Sequence, residues 1–151
     1  MACPYFHPVS PDPACTATHA TRPLGDAWSG ECHADPAHPW QPGAETLYPL
    51  CNIGYARSRC PRFPDGEGPD SIRFAIASKE GASDAGGVLL VWYAVERDHL
   101  PFAHGALEYS PAAADFVRID CESRAPLEAV ARLARAYVAS YFRRRAEASG
   151  V

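Results

Sequence analysis

At 151 residues, with 47% hydrophobic and 21% charged residues, the chain has the length and composition of one globular domain with a real core. A net charge of −4 gives it no general attraction to nucleic acid or to anionic membrane. The longest apolar run, GGVLLVWYAV, is far too short to span a bilayer, so no membrane association is expected.

The first residues, MACPYFHPVSPDP, contain neither a basic n-region nor an apolar h-region, and no secretory signal is expected. A cytoplasmic location follows as the expectation, and in that reducing compartment structural disulfides are rare. Six cysteines then favour metal binding or redox chemistry over a frame of bridges.

Residues 1–70 carry twelve of the fifteen prolines, five of the six cysteines and four of the six histidines. Proline removes a backbone donor and fixes φ, so this half is predicted to be loop-rich rather than helix or central strand. It also holds Tyr5, Phe6, Trp28, Trp40, Tyr48, Tyr55 and Phe63, a set that a disordered tail seldom contains. Ordered loops need an anchor, and metal–ligand bonds would offset the entropy of fixing them.

From residue 71 the pattern is conventional. SIRFAIAS (71–78) alternates Ile72, Phe74 and Ile76 with small or polar residues, GASDAGG (81–87) is a turn-rich link, and VLLVWYAVER (88–97) is a strong strand. The two strands are predicted to pair as a hairpin. GALEYS (105–110) and DFVRIDC (115–121) are weaker strand candidates. ERDHLPFAHGALE gathers Glu96, Asp98, His99, His104 and Glu108 in thirteen residues. Such groups suit acid–base chemistry, but the plainer expectation is a loop after a strand, with a turn at Gly105.

A helix is predicted after Pro126, with Leu127, Val130, Ala131, Ala134, Tyr137, Val138 and Tyr141 spaced by three and four. Arg143, Arg144 and Arg145 complement the dipole at its end and are expected to face solvent. The expected fold class is α+β, a single domain over 1–151. Its loop-rich Cys/Pro half (1–70) surrounds a metal centre and packs on a short antiparallel sheet with one long C-terminal helix (71–151).

The cysteines fall at 3, 15, 32, 51, 60 and 121 with no C-x-x-C pair, which argues against zinc ribbons, thioredoxin-like sites and the bacterial ferredoxin run. Single ligands from separate loops remain, and a 4Fe–4S cluster needs four thiolates without requiring them to be close in sequence. Cys3 and Cys60 precede prolines, which steer them toward extended backbone. Aromatic residues crowd the thiols and would limit solvent access, while Gly30 and Gly54 allow close backbone approach. Arg57, Arg59 and Arg62 flank Cys60; their field would favour a reduced cluster or dock an acidic partner, and three arginines are too few to predict nucleic-acid binding. Zinc is the alternative, because Cys3-x-x-x-His7, Cys15-x-x-x-His19, His33 and His38 allow a Cys2His2 set. A single histidine replacing one cysteine is a third arrangement. No G-x-S-x-G, phosphate-binding loop or dinucleotide fingerprint is present, and whether the chain is an enzyme stays open.

ACPYFHP, RPLGDAWSGEC and CNIGYARSRCPRFP, in this order, resemble a group of uncharacterised bacterial proteins. These share a CP-aromatic start, a PLGD-x-x-x-G-x-C element and a CN-x-GYAR-x-x-C-x-RF element. IRF (72–74) and ERDHLPFAHGALEY (96–109) match as well, so the resemblance covers most of the chain. It implies no activity. It does imply a cysteine-bound iron–sulfur cluster, with Cys3, Cys32, Cys51 and Cys60 at the matching ligand positions. Cys15 lies outside the shared elements, and Cys121 is expected to be a buried inert thiol. The expected function is a small 4Fe–4S protein in one-electron transfer or redox sensing, served by a redox protein partner. The alternatives are an interaction module with a structural zinc site and an enzyme using the Glu96–Glu108 segment.

Overall fold

The computed structural model describes residues 2–12, 22–53, 55–78, 87–121 and 124–150. Cys15, His19, Gly54, Lys79 and most of the 81–87 link lie outside the described residues. In chain order the elements are a hairpin of β1 (Phe6–Pro11) and β2 (Trp28–Cys32) and a single turn α1 (Ala44–Thr46) that widens into a π-helical turn over Leu47–Asn52. Strands β3 (Ser71–Ser78), β4 (Leu89–Arg97), β5 (Leu100–Ser110) and β6 (Asp115–Cys121) follow, and then helix α2 (Leu127–Ala148). The four later strands form an antiparallel meander in chain order, and β1 pairs only with β2. This is the α+β fold expected.

Period-two patterning sets the register of the meander. On β4, Leu89, Val91, Tyr93 and Val95 are buried, whereas Trp92 between them is exposed. Ile72 on β3 and Ala103 and Leu107 on β5 complete the inner face. Helix α2 runs against β1 and β3, so one core serves both halves of the chain. Phe6, Leu24, Ile72, Leu89, Leu107 and Leu133 are its largest fully buried side chains.

Four expectations change. The Glu96–Glu108 segment is strand on both sides of a two-residue turn, with Asp98 (φ 52°) and His99 (φ 62°) both left-handed. Such a turn matches the right-handed twist of the strands it joins. Gly105 is therefore mid-strand, opposite Tyr93 and Cys121. A Cβ there would lie 2.3 Å from the Asp120 carbonyl oxygen. His104 pairs with Ala94 and Glu108 with Leu90, which spreads the titratable groups along the sheet.

The Cys-rich half is not loops alone, since β1 forms despite Pro8 and Pro11. Each strand of this two-stranded ladder has an open edge where a missing donor is tolerated, and the register shifts between Pro8 and Ser10. On α2, Leu133 and Ala136 are buried while Leu127 is 41% exposed. The buried face thus starts one turn later than the spacing suggested.

The arginine run is not simply solvated. Arg143 makes a two-pronged ion pair with buried Asp26, and Arg144 comes within 3.8 Å of the same carboxylate.

Candidate metal centre

Each of the four implied ligands sits on backbone tied down by hydrogen bonds. Ala2 bridges to Ile72 through two bonds of 2.9 and 3.0 Å, which lays the first residues along the edge of β3. The next amide, Cys3 N–H, donates to the Cys51 carbonyl at 3.0 Å. Cys32 ends β2 and exchanges bonds of 2.7 and 3.0 Å with Trp40, while His33 N–H reaches the Tyr5 carbonyl at 2.9 Å. Cys60 closes a tight turn in which Ser58 is left-handed (φ 68°) and the Arg59 and Cys60 amides both donate to the Ala56 carbonyl.

The π-helical turn explains the Cys51–Asn52 pair. Cys51 faces inward, and Asn52, buried beside it, clasps β2. Its Oδ1 accepts from Trp28 N–H at 2.9 Å, and its Nδ2 donates to the carbonyls of Trp28 (3.0 Å) and Leu47 (2.9 Å). One amide side chain thereby fixes the strand bearing Cys32 against the turn bearing Cys51.

Cys3, Cys32, Cys51 and Cys60 are all free thiols, and all four line one small cavity together with Tyr5, Trp40, Leu50 and Phe63. The accessible wall is apolar. Cys3 and Cys51 are buried, at 6% exposure each, whereas Cys32 and Cys60 are half-buried. Tyr5 and Phe63 meet edge to face at 5.3 Å across one side.

No histidine among the described residues lines this cavity. His7 stacks on His33 at 3.6 Å, and His38 pairs with Asp35 at the surface. Among the described residues no group of three or more His, Cys, Asp or Glu side chains is arranged to hold a single metal ion. A tetrahedral zinc, with Zn–S bonds of ~2.3 Å, would draw its sulfurs to within ~3.8 Å of one another.

Burial pushes the Cys3 thiol up to about 12, with Cys32 and Cys60 adding to the shift. Burial likewise raises Cys51, and Cys3, Cys32 and Cys60 all add to it. Ionisation of Cys3 and of Cys51 is thus opposed both by burial and by the neighbouring thiols. A cation among them reverses that field and holds them as thiolates. Four soft donors facing one apolar cavity have the chemistry that binds a thiophilic metal.

The arginines around Cys60 divide into two kinds. Arg57 pairs with Asp70, donates to the Gly66 carbonyl at 3.2 Å and covers the Phe63 ring at 4.8 Å. Arg59 and Arg62 stay exposed, Arg62 lying over Trp40 at 4.2 Å. Asp70 itself is fully buried and also accepts from Tyr55 Oη and from Asp98 N–H (2.6 Å). Burial raises its carboxyl, but these donors and the Arg57 charge outweigh that and hold it below the ordinary value. Tyr55 completes the link by stacking on His99 at 4.0 Å.

Sequence reasoning missed Asn52, Asp70, Asp26 and Arg132 as supports. The last donates to the carbonyls of Pro4 (2.6 Å) and Phe6 (3.2 Å), pinning the segment after Cys3. Asn52 and Asp26 stand inside the quoted CN and PLGD elements, which was the available signal. In PLGD, Leu24 is fully buried and Gly25 (φ 82°) turns where a Cβ would lie 2.6 Å from Ser140 Cβ. Two residues on, Trp28 Nε1 donates to Ser140 Oγ at 3.1 Å.

Gly30 does permit close approach, but to the His7 carbonyl and not to the thiols. Cys121 pairs through its backbone with Gly105 at the end of β6. Comparison of the chain with protein-family models, curated proteins and solved structures finds no match.

Proposed function

We propose that this chain is a small iron–sulfur protein whose 4Fe–4S cluster is held by Cys3, Cys32, Cys51 and Cys60, and that it works in one-electron transfer or redox sensing. The supporting observation is that four thiols from four separate segments line one apolar cavity with no disulfide between them. A cluster bound there would accept and release one electron at a time. The chain's own part is to exclude water with Tyr5, Trp40 and Phe63, and to keep the ligand segments in place through Asn52, Arg132 and the Cys3–Cys51 backbone bond. Glu96, His104 and Glu108 are dispersed along the sheet.

Anaerobically reconstituted protein should be brown, absorb broadly near 400 nm and carry about four irons per chain. Cys3→Ala or Cys51→Ala should lose most of that iron, because each removes a buried ligand. Colourless, iron-free protein after reconstitution would overturn the reading. One tightly held zinc per chain, with no redox signal, would replace it with a structural zinc module.

A further inference from the structure

The structure points to the surface over Cys60 as the place where this protein meets a redox partner, and we propose that the partner is an acidic one-electron carrier protein. The inference rests on the cluster reading above and adds the site and chemistry of its partner. Cys60 and Phe63 line two spaces at once, the buried thiol cavity and an open groove of about 510 Å³ outside it. The other side of that groove is formed by Arg57, Ser58, Arg59 and Asp65. Cys3 and Cys51 are buried, so a partner seated in the groove would be separated from the cavity by the thickness of a single residue. One electron would leave the reduced centre of the carrier and enter the cluster behind Cys60, or pass the other way, with no bond made or broken.

Charge selects the class of partner. The molecule as a whole carries −4, yet residues 57–62 hold three arginines and no acid. Arg57 is neutralised by Asp70. Arg59 and Arg62 are exposed and form no ion pair with a described residue. Trp40 covers one face of the Arg62 guanidinium and leaves its edge free to bind a carboxylate in two-pronged fashion. Arg59 lines the groove and Arg62 the adjoining thiol cavity, and two separate guanidiniums near a half-buried thiol suit separate carboxylates on a protein surface. They are too few to hold a run of phosphates.

The test uses an acidic plant-type 2Fe–2S ferredoxin as probe and the cluster-loaded chain, with Arg59→Glu, Arg62→Glu and, as a control on the far strand of the sheet, Arg118→Glu. Fluorescence anisotropy of labelled ferredoxin reads affinity, and stopped-flow absorbance reads electron transfer. At low salt the Arg59 and Arg62 reversals should each weaken binding and slow transfer about tenfold, and about 0.5 M salt should erase the difference. Arg118→Glu should behave as wild type. Iron content and spectrum must match wild type in every variant, which separates docking from cluster assembly. Failure of the wild-type chain to load iron would bring down both proposals. Loaded Arg59 and Arg62 variants that bind and react like wild type, or a control that falls equally, would overturn docking alone. So would a labelled single-stranded oligonucleotide that binds where the ferredoxin does not.

Discussion

Asp70 is a carboxylate with no exposed surface that takes bonds from Tyr55, Arg57 and the Asp98 amide. It couples the loop between Cys51 and Cys60 to the β4–β5 turn. Asp70→Asn keeps the shape but leaves Arg57 without its counter-charge, and should lower stability by about 3 kcal/mol in urea unfolding. Asp26, buried just before β2, is its counterpart facing the arginines of α2. Burial raises it, yet the bonds from Arg143 and Ser140 and the charges of Arg143 and Arg144 hold it below its ordinary value of 3.8. Both folded-state carboxyls thus titrate below their unfolded counterparts. Their stabilisation is complete well above 3.8 and is lost as pH falls through the lower folded-state values. Melting temperature should therefore drop steeply below pH 4, and less steeply in Asp70→Asn. Equal slopes for the two proteins would remove Asp70 from this account.

At the scale of elements, the β1–β2 hairpin and the π-helical turn act as one unit because Asn52 joins them. Asn52→Ala deletes three buried bonds and strands the Trp28 amide, so it should cost about 3 kcal/mol. It should also reduce reconstituted iron although no ligand is touched. Normal iron content in a folded Asn52→Ala chain would show that the clasp does not position Cys51 and Cys32. Gly30→Ala probes the same hairpin by sterics, because its Cβ would lie 2.1 Å from the His7 carbonyl oxygen. The strand bearing Cys32 must then shift, and thermal melts should show a loss larger than that of an ordinary strand Gly→Ala exchange. These elements were only partly legible in the sequence. Alternation in LLVWYAV marked β4 because one face of that strand is buried and the other open. The Asp98–His99 turn was missed because neither residue is the glycine that positive φ usually calls for. What holds it is Asp70, twenty-eight residues away.

The whole molecule shares one core between an irregular half and a regular one. The irregular half has anchors of its own, since it inserts Phe6, Leu24 and Trp28 into that core and is tied to α2 by Asp26, Trp28 and Arg132. Metal removal should therefore loosen the thiol-bearing segments first. Hydrogen exchange after anaerobic chelation should speed up at 32–40 and 51–63 while β4, β5 and α2 stay protected. Uniform loss of protection would mean that the metal holds the entire fold. By itself the sequence determined the α+β class, the later strands and the long C-terminal helix, because proline density and hydrophobic period are properties of neighbouring residues. Tertiary structure alone decided that four distant thiols line one cavity, which arginine is neutralised and which two remain exposed. Those outcomes depend on where separate segments meet, and that is set by the packing of a shared core.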